Sequence, residues 1–170
     1  MECKPLVSAG TEEPVALETE ALFHAYADMV YRLALVRTRN QADAEDVLQD
    51  VFFRCVRKQP SFTDREHQKA WLIKVTINCS KNTIGSAFRR HTVSDEALLN
   101  RADETPLSDS GVYDEVMKLP ERYRTAIHLH YYEGYSVSEI ARMMNANEST
   151  VKSWLFRARG LLKEQLKGEF

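Results

Sequence analysis

YSVSEIARMMNANESTVKSWLFRARGLLKEQL, running from Tyr135 to Leu166, reads as two helices joined by a tight polar turn. Ser136 stands three residues before Glu139, the S-x-x-E spacing of a capping box at a helix start. Ile140, Ala141 and Met144 supply a short apolar stripe. Asn145 is a residue type that tolerates the left-handed conformation at a helix end, and Asn147 suits the N-cap of the next helix. On a helical projection Val151, Leu155, Ala158 and Leu162 fall within about 60° of one another, so the second helix has one buried face. Ser149, Lys152, Ser153 and Phe156 lie on the far side, with Arg157 and Arg159 at its margins. A short helix, a tight turn and a longer helix with a basic outer face is the helix-turn-helix arrangement. Lys and Arg donate to phosphates and guanine, while Ser allows close approach, so this face suits a DNA major groove. The alternative is an αα-hairpin whose lysines are simply solvated.

Outward from this stretch, charge divides the chain. The formal net charge of −2 would argue against a polyanion partner if it were evenly spread. Residues 1–19 are net −3 and residues 92–110 are net −4, with five acids and one base. Residues 20–91 are net +4, and so is the segment 142–167. The acid sits in connecting segments and both folded parts are positive, which is what attracts a polyanion.

The expected fold is all-α, as two small helical domains joined by a flexible acidic linker. Residues 1–19 contain Pro5, Gly10 and Pro14 without periodicity and read as a disordered lead-in. The first domain covers 20–91. Its helices are expected at about Ala21–Thr38, Gln41–Lys58 and Lys69–Phe88, with Gln59–Lys69 as a polar loop. Asp43, Asp46 and Asp50 share one face of the second helix. Acids near a helix N-terminus complement its dipole, which accounts for Asp43 and at most Asp46, whereas Asp50, about two turns beyond Asp43, is too far along. An acidic docking face for a basic partner is the other reading. The loop and third helix mix basic, amide and aromatic groups, including Trp71, as single-stranded bases require; core Trp71 with solvated lysines is the competing view. Residues 92–110 form the linker. The second domain, 111–170, opens with a helix near Val112–Lys118, and Pro120 begins another that ends near Gly134.

No apolar run exceeds four residues, so neither a signal peptide nor a membrane span is expected. Cys3, Cys55 and Cys79 are odd in number and lack a C-x-x-C pair, which favours a reducing cytoplasm. His128 and His130, two apart, do not share a helix face. No metal and no cofactor is expected.

Four blocks, DAEDVLQDVFFR (43–54), AWLIKVTINCSKN (70–82), LPERYRTAIHLHYYEGYSVSEIA (119–141) and STVKSWLFRAR (149–159), together resemble the sigma-70 family sigma factors of the extracytoplasmic-function (ECF) class. The resemblance covers about 20–91 and 111–166. It implies a cytoplasmic, non-enzymatic, promoter-specificity subunit that binds core RNA polymerase, with promoter DNA and a dedicated anti-sigma factor as further partners. Asp46, Gln49 and Asp50 match the helix that docks on the beta-prime clamp coiled coil, and the second domain would meet the beta flap. Phe62, Asp64, Arg65, His67 and Lys69 match the loop that captures a flipped base of the melted −10 element. Asn78, Lys81 and Asn82 match the adjoining promoter-contacting helix. Ser149, Thr150, Lys152, Ser153, Phe156, Arg157 and Arg159 belong to the helix that reads the −35 duplex. Trp154 stands where the family often has a basic residue, and Asn145 where Gly is usual. Three rivals follow from the residues alone: a stand-alone dimeric operator-binding regulator, a recombinase with such a reading domain, and a helical adaptor without nucleic acid. The second lacks an evident catalytic carboxylate trio, and the third leaves the segregated charge without a purpose.

Overall fold

The computed structural model describes residues 13–91 and 111–168; the expected linker at 92–110 and the start of the lead-in lie outside the described residues. The described residues form seven α-helices and one π-helical turn and contain no strand. Three long helices come first: α1 (Glu13–Thr38), α2 (Gln41–Lys58) and α3 (Arg65–His91). Four follow: α4 (Gly111–Lys118), α5 (Glu121–Ile127), α6 (Val137–Met143) and α7 (Glu148–Lys167).

Two boundaries differ from the sequence reading. The lead-in was expected to be disordered through residue 19, but α1 already begins at Glu13. Pro14 is compatible with this, because the first helical turn leaves its backbone nitrogens unpaired anyway. The loop expected at Gln59–Lys69 is shorter, since α3 starts at Arg65. The Asp64 carboxylate accepts a hydrogen bond from the His67 backbone N–H at 2.8 Å, so Asp64 acts as the cap that starts the helix early.

The caps elsewhere follow the residue chemistry. Asn40 Oδ1 accepts from the Asp43 N–H at 2.9 Å at the start of α2. Gln59 ends that helix in the left-handed region, its N–H bonded to the Cys55 carbonyl at 2.9 Å. The capping box at Ser136 is complete: Ser136 Oγ accepts from the Glu139 N–H at 3.2 Å, and Glu139 Oε2 accepts from the Ser136 N–H at 2.8 Å. Asn145 takes φ 52° as expected. Asn147 holds the N-cap position of α7, but its side chain makes no capping bond.

The apolar stripes build two cores. Val30 and Ala34 of α1, Ala44, Val47, Val51, Phe52 and Cys55 of α2, and Leu72 and Cys79 of α3 form the first. Thr76 and Ser80 are buried in it, and each hydroxyl donates to the carbonyl four residues back at 2.7 Å. Burial without partners would be costly; these bonds remove that cost. The second core gathers Leu119, Ala126, Leu129, Ile140, Val151, Leu155 and Ala158 from the later helices. It also takes in Leu33, Ile73 and Ile77, each at most 1 % exposed, from α1 and α3. Burying one such side chain is worth roughly 1.5–3 kcal/mol. The two halves of the chain therefore share a core instead of standing apart.

Candidate nucleic-acid interface

The helix-turn-helix is formed by α6 and α7. Val151, Leu155 and Ala158 are buried, and Trp154 and Leu162 pack partly buried against the same cluster. Leu161, one residue before Leu162, is 39 % exposed. Ser149, Lys152, Ser153, Phe156, Arg157 and Arg159 are all exposed, and Thr150 is half-buried. Phe156 is 73 % exposed, although it is a large apolar ring with ample core nearby. Ser153 Oγ donates to the Ser149 carbonyl at 3.0 Å, which keeps that hydroxyl close to the helix. Arg159 Nη1 donates to the Tyr131 hydroxyl at 3.0 Å, so Arg159 is held by the preceding helical segment. Sequence reasoning had assigned Tyr131 no role.

Tyr131 belongs to the π-helical turn His128–Tyr132 that continues α5. The wider turn ends at Gly134, whose φ of 78° favours glycine, and it places the Tyr135 N–H on the Leu129 carbonyl at 2.9 Å. Among the consequences is that Glu133 turns inward, to 9 % side-chain exposure. Helical periodicity gives no signal for an inserted residue, so this was missed.

The expected −10 residues separate into groups. Phe62 packs edge-on to His67 at 5.6 Å and to Trp71 at 5.7 Å between ring centroids. Beside it opens a cavity of about 620 Å³, lined by Leu22, Tyr26, Phe62, Asp64, Arg65 and Gln68 among others. Asn78, Lys81 and Asn82 are exposed, and on a 100° helical projection they share a face with His67 and Lys74. Lys69 projects about 180° from Asn78. It faces the later helices, where its Nζ meets Glu133 Oε2 at 3.0 Å and lies 5.3 Å from the Tyr135 ring centroid.

On α2, Asp46, Gln49 and Asp50 are exposed as expected. Phe53 and Val56 extend the same side at 62 % and 47 % exposure, with the Arg57 guanidinium 5.9 Å from the Phe53 ring centroid. The sequence reading had not singled out these two apolar residues.

Comparison with known proteins decides the family. Residues 22–92 match the model of sigma-70 region 2, and residues 111–162 match that of sigma-70 region 4. The ECF RNA polymerase sigma factor SigM of Bacillus subtilis is 30% identical over 151 residues, covering 85% of this chain and 92% of the relative. The chain belongs to the sigma-70 family, in its ECF class. RNA polymerase sigma factor SigV of the same organism is 29% identical, over 82% of this chain and 85% of its own. Among solved structures, the fold is similar to that of the sigma factor RpoE in complex with the anti-sigma factor NepR from Bartonella quintana. That likeness has a TM-score of 0.72 and 24% identity, over 88% of this chain and 97% of that one.

In this sigma factor the region 2 and region 4 helices meet through charged groups that sequence reading did not find. Arg124 of α5 is 5 % exposed and donates three bonds: Nε to the Val36 carbonyl at 2.6 Å, Nη2 to the Arg37 carbonyl at 2.9 Å, and Nη1 to the Leu119 carbonyl at 2.7 Å. Val36 and Arg37 lie in the last turn of α1, whose carbonyls have no partner within the helix. A cation from the other half of the chain thus caps the negative end of α1. Burial first, then neighbouring Arg39, pushes the Arg124 guanidinium down to about 10, so it stays charged at neutral pH. Arg37, 2 % exposed, donates to Glu121 Oε1 at 2.5 Å and to Thr125 Oγ1 at 3.0 Å. Burial lowers its pKa and Glu121 opposes that. Arg32 of α1 also donates to the Tyr132 hydroxyl. Burial pushes the Glu133 carboxyl up, but hydrogen bonds from His128 and Lys69 outweigh it and hold the group below its ordinary value.

Proposed function

We propose that this sigma factor directs core RNA polymerase to promoters by reading a −35 duplex with α7 and capturing melted −10 DNA with residues 62–82. One observation carries the reading: α7 turns Lys152, Ser153, Phe156 and Arg157 to solvent while its other face is fixed in the core. A ring as exposed as Phe156 gains by packing on a thymine methyl, and the two cations suit phosphate or guanine. Ser149, Thr150 and Arg159 complete that surface. Near −10, Phe62 at the rim of the cavity supplies a stacking edge, with Asp64, Arg65 and His67 around it and Asn78, Lys81 and Asn82 along the adjoining helix. A base held on such a platform returns roughly 1–3 kcal/mol, against about 1.4 kcal/mol of stacking per base-pair step opened. A domain of this size cannot melt several steps alone, so polymerase contributes the rest and performs all the chemistry.

Docking on the polymerase clamp falls to Asp46, Gln49 and Asp50 on α2, joined by exposed Phe53. Residues 20–91 and 111–170 act as the two sigma domains, in the cytoplasm and without a cofactor. RpoE was solved with the anti-sigma factor NepR and CnrH with the cytosolic domain of CnrY, which supports an anti-sigma partner for this chain as well. No described helix is long and apolar enough to cross a membrane. The test is promoter-directed transcription with purified core polymerase, with and without the protein, alongside the Asp50→Arg variant. Specific initiation that depends on the protein, and that Asp50→Arg weakens at unchanged helical content, is expected. Tight sequence-specific duplex binding by the protein alone, with no effect on transcription, would favour a stand-alone regulator.

A further inference from the structure

Arg32, Arg37, Lys69 and Lys118 are each held by a carboxylate. Arg159 is held by a neutral group instead, the Tyr131 hydroxyl 28 positions earlier, and among the described residues it has no ion pair. The difference matters for a polyanion. A carboxylate orients a guanidinium but cancels its charge, whereas a hydroxyl orients it and leaves the charge whole. We infer that Tyr131 is a positioning residue for DNA binding: its hydroxyl fixes Arg159 so that the guanidinium meets a backbone phosphate of a duplex lying against α7. The inference rests on the reading of α7 as a duplex-binding helix and adds to it a residue from outside that helix.

The geometry suits the task. Tyr131 engages Nη1 of Arg159, and the Nε–Nη2 edge of a guanidinium is one that takes two phosphate oxygens through parallel bonds. Along α7, Lys152, Phe156, Arg159 and Lys163 are all exposed, and on a helical projection they fall within about 60° of one another. Arg159 therefore stands on the side of the outer face that adjoins the π-helical turn. An unheld arginine must give up its rotamer freedom when it binds, and Arg159 has already surrendered part of it to Tyr131.

Tyr131 is itself mounted. Its ring is 58 % exposed, so burial does not fix it. The His130 ring meets it edge-on at 4.8 Å between centroids and 81° between planes. His130 is fixed in turn by the Tyr135 carbonyl, 2.8 Å from Nδ1. A carbonyl only accepts, so Nδ1 carries the proton in this contact. The support thus runs from the Tyr135 backbone through His130 and Tyr131 to Arg159, with each side chain oriented by the one before it. The π-helical winding of His128–Tyr132 presents these rings, and single π turns of this kind occur frequently at functional sites.

The experiment uses the full chain and fluorescence anisotropy with a fluorescein-labelled duplex of mixed sequence, about 30 base pairs long, titrated between about 50 and 200 mM salt. Phosphate contacts carry no sequence information, so no promoter has to be known. Arg159→Ala should weaken binding and lower the log–log salt slope by about one. Tyr131→Phe keeps the ring and its contact with His130. It should weaken binding about three- to tenfold while the slope falls by much less than one, because the charge remains. Added to Arg159→Ala, it should change affinity by less than about 1.5-fold, since its partner is gone. Melting temperatures within about 2 °C of wild type show that the loss reads orientation and not stability. Should Tyr131→Phe melt lower than that, Arg159→Lys decides instead. One ammonium keeps the charge but cannot hold the hydroxyl and a phosphate in the geometry of a fork, so weaker binding at an unchanged slope supports the inference and wild-type affinity refutes it. Unaltered affinity in Tyr131→Phe, or an equal loss with and without Arg159, overturns the positioning role and leaves the reading of α7 standing. A wild-type chain that binds no duplex at about 50 mM salt removes both.

Discussion

Replacing Arg124 with Met should be the most damaging single change at the junction of the two halves. The side chain keeps its bulk, but three carbonyl acceptors, on Val36, Arg37 and Leu119, lose a charged donor at 2.6–2.9 Å. Hydrogen bonds to charged groups contribute about 1.5–3 kcal/mol each, so three would sum to roughly 5–9 kcal/mol if no carbonyl found another partner. They will find partners in part. If the halves separate, the carbonyls at the end of α1 gain water, while the shared core with Leu33, Ile73 and Ile77 loses cover. Removing one member of a buried charged network typically costs about 3–5 kcal/mol, and that is the better figure here. With a urea slope of about 2 kcal/mol per molar, the unfolding midpoint should fall by about 1.5–2.5 M. Far-UV circular dichroism in urea measures this directly. Arg124→Lys should fall between the two, since one ammonium cannot reach three carbonyls in the geometry of a guanidinium. A midpoint shift below about 0.5 M for Arg124→Met, or about 1 kcal/mol, would show that the end of α1 rehydrates freely and that Arg124 does not hold the halves together.

Gly160 lies inside α7, and a Cβ built there meets nothing within 4 Å; Gly160→Ala should add roughly 1 kcal/mol and raise the melting temperature by about 2–4 °C. An unchanged or lower calorimetric midpoint would mean that glycine serves a purpose at that position. Trp154→Ala should lower the melting temperature without altering base preference, because Trp154 packs on the second core. Phe156→Ala should leave stability alone and relax one −35 position by about 1–3 kcal/mol; competition against single-base variants distinguishes the two, and the reverse pattern would mean α7 is rotated on its DNA. Glu133 has a folded-state pKa below the ordinary 4.5, facing Lys69, His128 and Tyr135. Its contribution is therefore complete above about pH 4.5 and lost as pH falls through the folded value. The stability difference between wild type and Glu133→Gln should shrink between about pH 6 and pH 3, and a constant difference would refute the assignment.

The all-α fold, the limits of α2, the completed capping box at Ser136 and the left-handed Asn145 were all legible in the residues, because each depends on chemistry within one or two turns. The same short range exposed the outer face of α7, since a 3.6-residue period places Lys152 and Phe156 opposite Val151 and Leu155 whatever they later touch. Tertiary structure decided what no local rule encodes. Arg37 and Arg124 look in sequence like any solvated arginines, and Lys69 like one more cation for DNA; their partners in the other half of the chain stand 64 to 88 positions away. The π-helical turn at His128–Tyr132 shifts the phase by one residue and brings Glu133 inward, a change too small for periodicity to register. Whether a cation is free for a phosphate or already held by a carboxylate depends on which helices come together. That choice is made by the shared burial of Leu33, Ile73 and Ile77 with the later helices, a long-range match of shapes and charges that the linear order of residues does not display.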